Sequence, residues 1–170
     1  MHLYSEILKV EREKRFIKGV CLNLDLGGLI GLSGNMSELK YKEITEKIIG
    51  ASMKVHAALG NGFQEIIYQR ALEIELSEME VSFEREFSMP IFYKNQQIGE
   101  RRVDFLVEKK ISVELKAIIN LEAVHFAQAR NYLEAYNVEI GLLINFGSVS
   151  LQFKRLQNPK FVAYPFPLNQ

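Results

Sequence analysis

Apolar positions change their spacing several times along this chain. Between Glu43 and Gly60, Ile44, Ile48, Ala51, Val55 and Ala58 or Leu59 fall on one stripe, the mark of an amphipathic helix, and Gly60-Asn61-Gly62 stops it. Residues 63–79 keep a helical period through Ile67, Ala71, Ile74 and Met79, so the glycine turn predicts a helical hairpin or sharp corner. From Val81 the period becomes two: Val81, Phe83, Arg85 and Phe87 alternate with Ser82, Glu84, Glu86 and Ser88, as in a half-buried strand. Three more strands are expected at about 90–94, 97–107 and 111–118, with turns at Asn95-Gln96 and at Glu108-Lys109-Lys110. Residues 121–137 return to a helical pattern. The run 139–147, EIGLLINFG, is continuously apolar, as in a strand buried on both faces. Residues 151–157 read as an edge strand and 161–170 as a proline-containing tail. The order α-α-β-β-β-β-α-β-β predicts an α+β or mixed α/β sandwich.

The first 35 residues stand apart. A loosely helical, charged stretch over 3–18 leads into GVCLNLDLGGLIGLSGN, rich in glycine. A basic segment before an apolar one is the layout of a signal peptide, but Asp25 and the glycines interrupt it. The expectation is an N-terminal extension over 1–35, with Met36 as the natural start and one domain over 36–170. The 170 residues, 48% apolar and 25% charged, suit a globular chain that needs no disulfide or metal staple. The single cysteine, Cys21, excludes an intramolecular disulfide and a multi-cysteine zinc site, and fits a reducing, cytoplasmic setting. No apolar run approaches the ~18 residues of a membrane span. Lys plus Arg and Asp plus Glu are 21 each, so the net charge is zero and nonspecific grip on nucleic acid should be weak.

Candidate chemistry lies in the hairpin VDFLVEKKISVELKA. The turn pairs Val107 with Ile111 and Phe105 with Val113, which sets Asp104 opposite Glu114. Alternation then places Asp104, Glu114 and Lys116 on one face, and Val103, Phe105, Val113, Leu115 and Ala117 on the other. Opposed Cβ atoms lie about 5 Å apart, and two like charges that close destabilise a sheet unless a cation sits between them. A hard divalent cation with oxygen ligands resolves the conflict, and Lys116 could hold a water or a phosphate oxygen beside it. Charged residues on a solvated sheet face are the plainer reading. Against it, VDFLV and ISVELKAI are apolar enough to be central strands, where a charge needs a reason.

These residues carry a resemblance. GFQEIIY, Gly62 to Tyr68, matches the G-x-x-E-x-x-Y motif of the GxxExxY proteins, a branch of the PD-(D/E)XK nuclease superfamily. VDFLVEKKISVELKA resembles the metal-binding strands of that superfamily, with Asp104 as the aspartate and Glu114-Leu115-Lys116 as E-x-K. VHFAQARNYL resembles the helix that follows, with Gln128 ahead of a Tyr-Leu, and the blocks keep their order from about Tyr41 to Asn158. The resemblance implies a restriction-endonuclease-like core, a mixed central sheet flanked by helices. It implies a site for Mg²⁺, or for Mn²⁺, which also suits oxygen ligands, made by Asp104, Glu114 and the Leu115 carbonyl. Lys116 would position or deprotonate the attacking water. Glu65 would complete the acidic cluster or hold a second metal, and Gln128 would orient Lys116 or a phosphate. Val103 stands where a proline often precedes the aspartate.

Other candidates have structural alternatives. Tyr68, one turn from Glu65, would donate to a carboxylate or a phosphate, or else be a core residue with a satisfied hydroxyl. Arg101 or Arg102, with Arg102 taken as the candidate, would meet a phosphate or pair with a surface acid. His125, one turn before Gln128, could line the same cleft; like His56, it lacks the partners of a metal site. Two functions follow. The first is a metal-dependent nuclease acting on nucleic acid, with DNA the expected substrate. The second is a weakly active or inactive module on a nuclease scaffold that binds nucleic acid or protein. A homodimer or a protein partner would enlarge a weak binding patch in either case.

Overall fold

The stripe Ile48, Ala51 and Val55 is buried along helix α1, Lys42–Leu59. A computed structural model of the protein describes residues 40–163. The expectations for 1–35 and most of the proline-containing tail lie outside those residues. Gly60 and Gly62, at φ of 68° and 107°, turn the chain through backbone conformations that side-chain-bearing residues avoid, and helix α2, Glu65–Glu78, follows. Strands β1, Phe83–Tyr93, β2, Gln96–Val107, and β3, Ile111–Lys116, come next, then helix α3, Ala123–Ala135, and strands β4, Ile140–Asn145, and β5, Gln152–Gln157.

The five strands lie in the order β1-β2-β3-β4-β5, all antiparallel except β3 and β4, which run parallel with α3 as their crossover. The fold is therefore a mixed sheet flanked by helices, as expected. One face packs on α1 and α2 through Ile48, Val55, Tyr68, Leu72, Phe105, Val113 and Leu142. Opposite it, Ala129 and Leu133 of α3 pack on Leu143 and Leu156. Every residue of β4 is buried, Ile140–Ile144 as an apolar run and Asn145 with its side chain hydrogen-bonded.

Two expectations change. Residues 81–89 and 90–94 are not separate strands: β1 runs through Pro90 without a break. As the edge of the sheet, β1 has a free side on which proline's missing N–H costs no ladder bond. The strict alternation also fails. Phe83 packs with Phe105 on the face of α1 and α2, and Arg85 pairs with Glu73 of α2, whereas Phe87 and Met89 join Val103, Tyr136 and Val138 beside α3. The change of side falls between Arg85↔Phe105 and Phe87↔Val103. Glu86 has a φ of 51° there, and neither it nor Asp104 pairs in the β1–β2 ladder.

Candidate functional site

Asp104 sits where β2 parts from β3 and skips one pair in its ladder with β1. Its ladder with β3 holds the expected pairs Phe105↔Val113 and Val107↔Ile111 and ends there. Beyond it the Asp104 carboxylate takes the place of a backbone acceptor: Oδ2 accepts the Leu115 N–H at 2.7 Å. Oδ1 accepts from Gln69 Nε2 of α2 at 2.9 Å. Glu114, next to Leu115 on β3, faces α3 and lines a small cavity with Ala129, Tyr132 and Leu133. The two carboxylates thus reach the end of β3 from opposite faces of the sheet, not from the single face that alternation predicts. The break at Asp104 is what lets them do so.

Lys116 closes the arrangement. Its Nζ donates to Glu114 Oε1 at 3.0 Å and to the Leu115 carbonyl at 2.9 Å, and lies 4.0 Å from Glu65 Oε2. Glu65 is the first residue of α2, and its approach is set by Tyr68 one turn on. The Tyr68 hydroxyl donates to the Gly60 carbonyl at 2.9 Å and accepts the Phe63 N–H at 3.1 Å, while its ring stacks on Phe146 at 4.7 Å. Tyr68 is fully buried, so it fastens the glycine turn that launches Glu65. The backbone past Lys116 is fixed as well: Phe146 N–H donates to the Lys116 carbonyl, and the buried Asn145 accepts from the N–H of Ile118 and of Gly147.

Burial dominates the electrostatics. It pushes the Asp104 carboxyl up to about 6, with Glu114 and Glu65 adding to the rise and the Leu115 N–H and Lys116 opposing it. Glu65 is also raised, by burial first; Glu114 adds to the rise, and Lys116 and Arg101 oppose it. Glu114 is only 7% exposed, and both its bonded cations, Arg101 at 2.8 Å and Lys116, use Oε1. Its Oε2 is buried without a partner.

That orphaned oxygen bears on whether a metal ion fits. A buried carboxylate oxygen with no donor is costly unless a cation completes it. The Lys116 ammonium already draws on Glu114 and the Leu115 carbonyl, so these oxygens hold a positive charge together. Among the described residues, no three His, Cys, Asp or Glu side chains converge as a finished cage. Mg²⁺ asks for less, one or two carboxylates with waters and substrate phosphate making up the rest. Asp104, Glu114 and the Leu115 carbonyl fit that requirement.

The other candidates are placed as follows. Arg102 is exposed on β2, opposite Ser88; its neighbour Arg101 enters the site, stacked 3.8 Å over the Tyr132 ring and bonded to Glu114. His125 Nδ1 accepts the Glu122 N–H at 2.9 Å, so it caps the start of α3. Gln128 is exposed on α3, one turn before Tyr132, and the hydrogen bonds of Lys116 go to Glu114 and Leu115 rather than to it. His56 binds the Ser148 carbonyl through Nε2. Sequence reasoning missed Gln69 and Tyr132. Gln69 lies four residues after Glu65 and Tyr132 four after Gln128, so helical spacing from known candidates was the available signal.

Comparison with known proteins is uneven. No curated protein matches the chain. A solved structure, the crystal structure of SSO0001, aligns at 18% identity with a TM-score of 0.45, over 70% of this chain and 60% of that one. The chain therefore spans less than two thirds of that protein's length. No helix among the described residues is long and apolar enough to cross a membrane. A family model described as the PD-(D/E)XK nuclease superfamily matches residues 42–156, from the first residue of α1 into β5. The match takes in Asp104 and the Glu114-Leu115-Lys116 run together with the helices and strands that hold them, and the chain belongs to the PD-(D/E)XK nuclease superfamily.

Proposed function

We propose that the protein is a metal-dependent nuclease that hydrolyses phosphodiester bonds in DNA, and that Gly62, Glu65 and Tyr68 mark it as one of the GxxExxY proteins. The observation that carries the reading is the buried, unpartnered Oε2 of Glu114, on a carboxylate that shares Lys116 with the Leu115 carbonyl while Asp104 holds the Leu115 N–H. Nucleic acid as substrate follows from the superfamily.

Asp104, Glu114 and the Leu115 carbonyl would hold Mg²⁺ or Mn²⁺, with Glu65 across from them. When bound, the ion supplies Lewis-acid polarisation of a phosphoryl oxygen and a lowered pKa for water. The chain's own residues do the rest. In the hydrolysis, a water oxygen bonds to phosphorus as it gives up a proton to solvent, the P–O bond to the sugar breaks, and the leaving sugar oxygen takes up a proton from solvent. Lys116 Nζ holds the attacking water and offsets the negative charge that develops on the phosphoryl oxygens. Gln69 and the Leu115 N–H fix the Asp104 carboxylate by one bond to each oxygen. Arg101, braced on Tyr132, supplies a second positive charge for the phosphate, and Gln128, exposed on α3, would orient a phosphate.

The test is a cleavage panel of linear and circular duplex, single strands, branched DNA and RNA, run with Mg²⁺, with Mn²⁺ and with EDTA. Cutting that needs the metal and is lost in Lys116→Ala supports the proposal. Cutting that survives EDTA, or that Lys116→Ala retains in full, overturns the mechanism. Metal binding with no cutting of any substrate moves the reading to a binding module.

A further inference from the structure

Beyond the carboxyl ends of β3 and β4, where sheets with parallel strands commonly meet their ligands, the chain forms a second cleft of about 320 Å³. Three segments line it: the glycine turn ahead of α2, the link between β3 and α3, and the connection from β4 to β5. Hydrogen bonds tie them together. Asn145, buried at the end of β4, accepts from the N–H of Ile118 and of Gly147 through Oδ1, and donates to Gln152 Oε1 at 3.0 Å. The Ser148 hydroxyl donates to the Ile119 carbonyl, and Asn61 Nδ2 reaches the Gly147 carbonyl at 3.4 Å. The cleft is therefore built into the fold, and its volume is that of a small-molecule site, which runs from about 300 to 1,000 Å³.

The lining indicates what fits. None of its residues is charged, so nothing in it draws a phosphate, a metal ion or a charged side chain. The polar groups left over are neutral. Gln152 spends Oε1 on Asn145 and keeps its Nε2 donors, while Asn120 and Ser150 are exposed and make no side-chain hydrogen bond among the described residues. Carboxamides offer donors and an acceptor together, the mixture that a base edge answers. Ile119 and Val149, 80% and 93% exposed, add apolar surface for the face of a flat ring. Position completes the case. Ile119 comes three residues after Lys116, at most about 10 Å of chain, and Asn61 comes four before Glu65. A strand with its phosphate at Lys116 thus has a neighbouring base within reach of the cleft.

We propose that this cleft receives one unpaired nucleobase beside the scissile phosphate, with Asn120, Ser150 and Gln152 on its edge and Ile119 and Val149 against its face. A base stacked in a duplex cannot enter a cleft, so the strand that is cut is single or carries an unpaired nucleotide there. The inference rests on the nuclease reading and names the substrate feature that the same site selects.

The experiment uses the full chain with Mn²⁺ and a fluorescein-labelled single strand of about 20 nucleotides, longer than one single-strand groove covers. Cutting is followed in single turnover, with the fragments sized on a gel. A companion strand lacks one base in its middle but keeps every sugar and phosphate. Expected is a gap in the cutting pattern beside the missing base, with the rate there down by about tenfold, the size of one lost base contact. In Asn120→Ala with Ser150→Ala, the intact strand should be cut about tenfold more slowly at that phosphate. The missing base should then make no further difference, because the two changes remove one contact. Thermal melting checks that the variant folds, and its Mn²⁺ affinity by electron paramagnetic resonance should equal that of wild type. Wild-type cutting that ignores the missing base at every phosphate overturns the cleft and leaves the nuclease reading intact, as does cutting confined to fully paired duplex. A variant that cuts like wild type, or that keeps the gap, also overturns the cleft alone. A wild type that cuts no nucleic acid overturns both.

Discussion

Replacing Asp104 by asparagine should make the metal-free protein more stable. A carboxyl that titrates at about 6 in the fold and at 3.8 when free is ionised at pH 7 at a cost to the folded state. At about 1.4 kcal/mol per pH unit, that cost is about 3 kcal/mol. Asp104→Asn removes the charge and keeps the shape. The amide oxygen can still accept the Leu115 N–H, and the new NH₂ meets Gln69, whose Oε1 is buried with no partner, once that amide turns over. The sign follows from the raised value. The protonated carboxyl favours the fold, so this contribution is fully present below about pH 4 and is lost as pH rises through about 6. Urea unfolding in EDTA should therefore show the variant ahead by about 2–3 kcal/mol at pH 7, with the gap closing toward pH 4. Adding Mn²⁺ should stabilise the wild type and leave the variant unmoved, because only the wild type keeps the ligand. A variant no more stable than wild type at pH 7, or a gap that does not change with pH, would refute the reasoning.

The remaining expectations are independent of that one. Lys116→Ala should bind Mn²⁺ at least as tightly as wild type, since the ammonium now competes for Glu114 and the Leu115 carbonyl, while cutting falls by a hundredfold or more, on the order of a lost charge-stabilising donor; calorimetry with single-turnover cleavage checks both. Tyr68→Phe leaves the Gly60 carbonyl and Phe63 N–H without their partner and should cost about 1–3 kcal/mol in denaturant, with the ring stack on Phe146 preserved; an unchanged midpoint would contradict the role given to the hydroxyl. Gly147→Ala would press a methyl onto the backbone of Ala117 and Ile118, with no flexible side chain to yield, and should cost about 3 kcal/mol or more; a melting temperature equal to wild type would show that this crossing can spread.

The hairpin register was legible because a three-residue turn and period-two strands leave little choice, and Phe105↔Val113 follows from counting back from Glu108-Lys109-Lys110. The helices were legible from their stripes. What counting could not see was the change of side at Glu86 and Asp104, since glutamate carries no sequence sign that it will take a left-handed φ. That one event decides which arginine matters. Strict alternation puts Arg102 on the face of Asp104 and Glu114; once the strand changes side, Arg101 meets Glu114 and Tyr132, and Arg102 points to solvent. Pro90 misled for a related reason, because proline reads as a break until the strand is known to be an edge. Tyr68 was open between two roles on helical spacing alone, and its two backbone partners assign it to the turn.

The Leu115 N–H has a further use. Almost every other amide of β3 is tied into backbone pairing or a neighbouring strand, but this one donates to a side-chain carboxylate, Asp104 Oδ2. Its nitrogen and proton resonances therefore sense one ionisable oxygen directly. In a two-dimensional amide spectrum of uniformly labelled protein, that single cross-peak should travel with the titration of Asp104, and the arrival of a cation should move it again. The fold thus carries a built-in spectroscopic indicator on the very residue whose carbonyl completes the oxygen set.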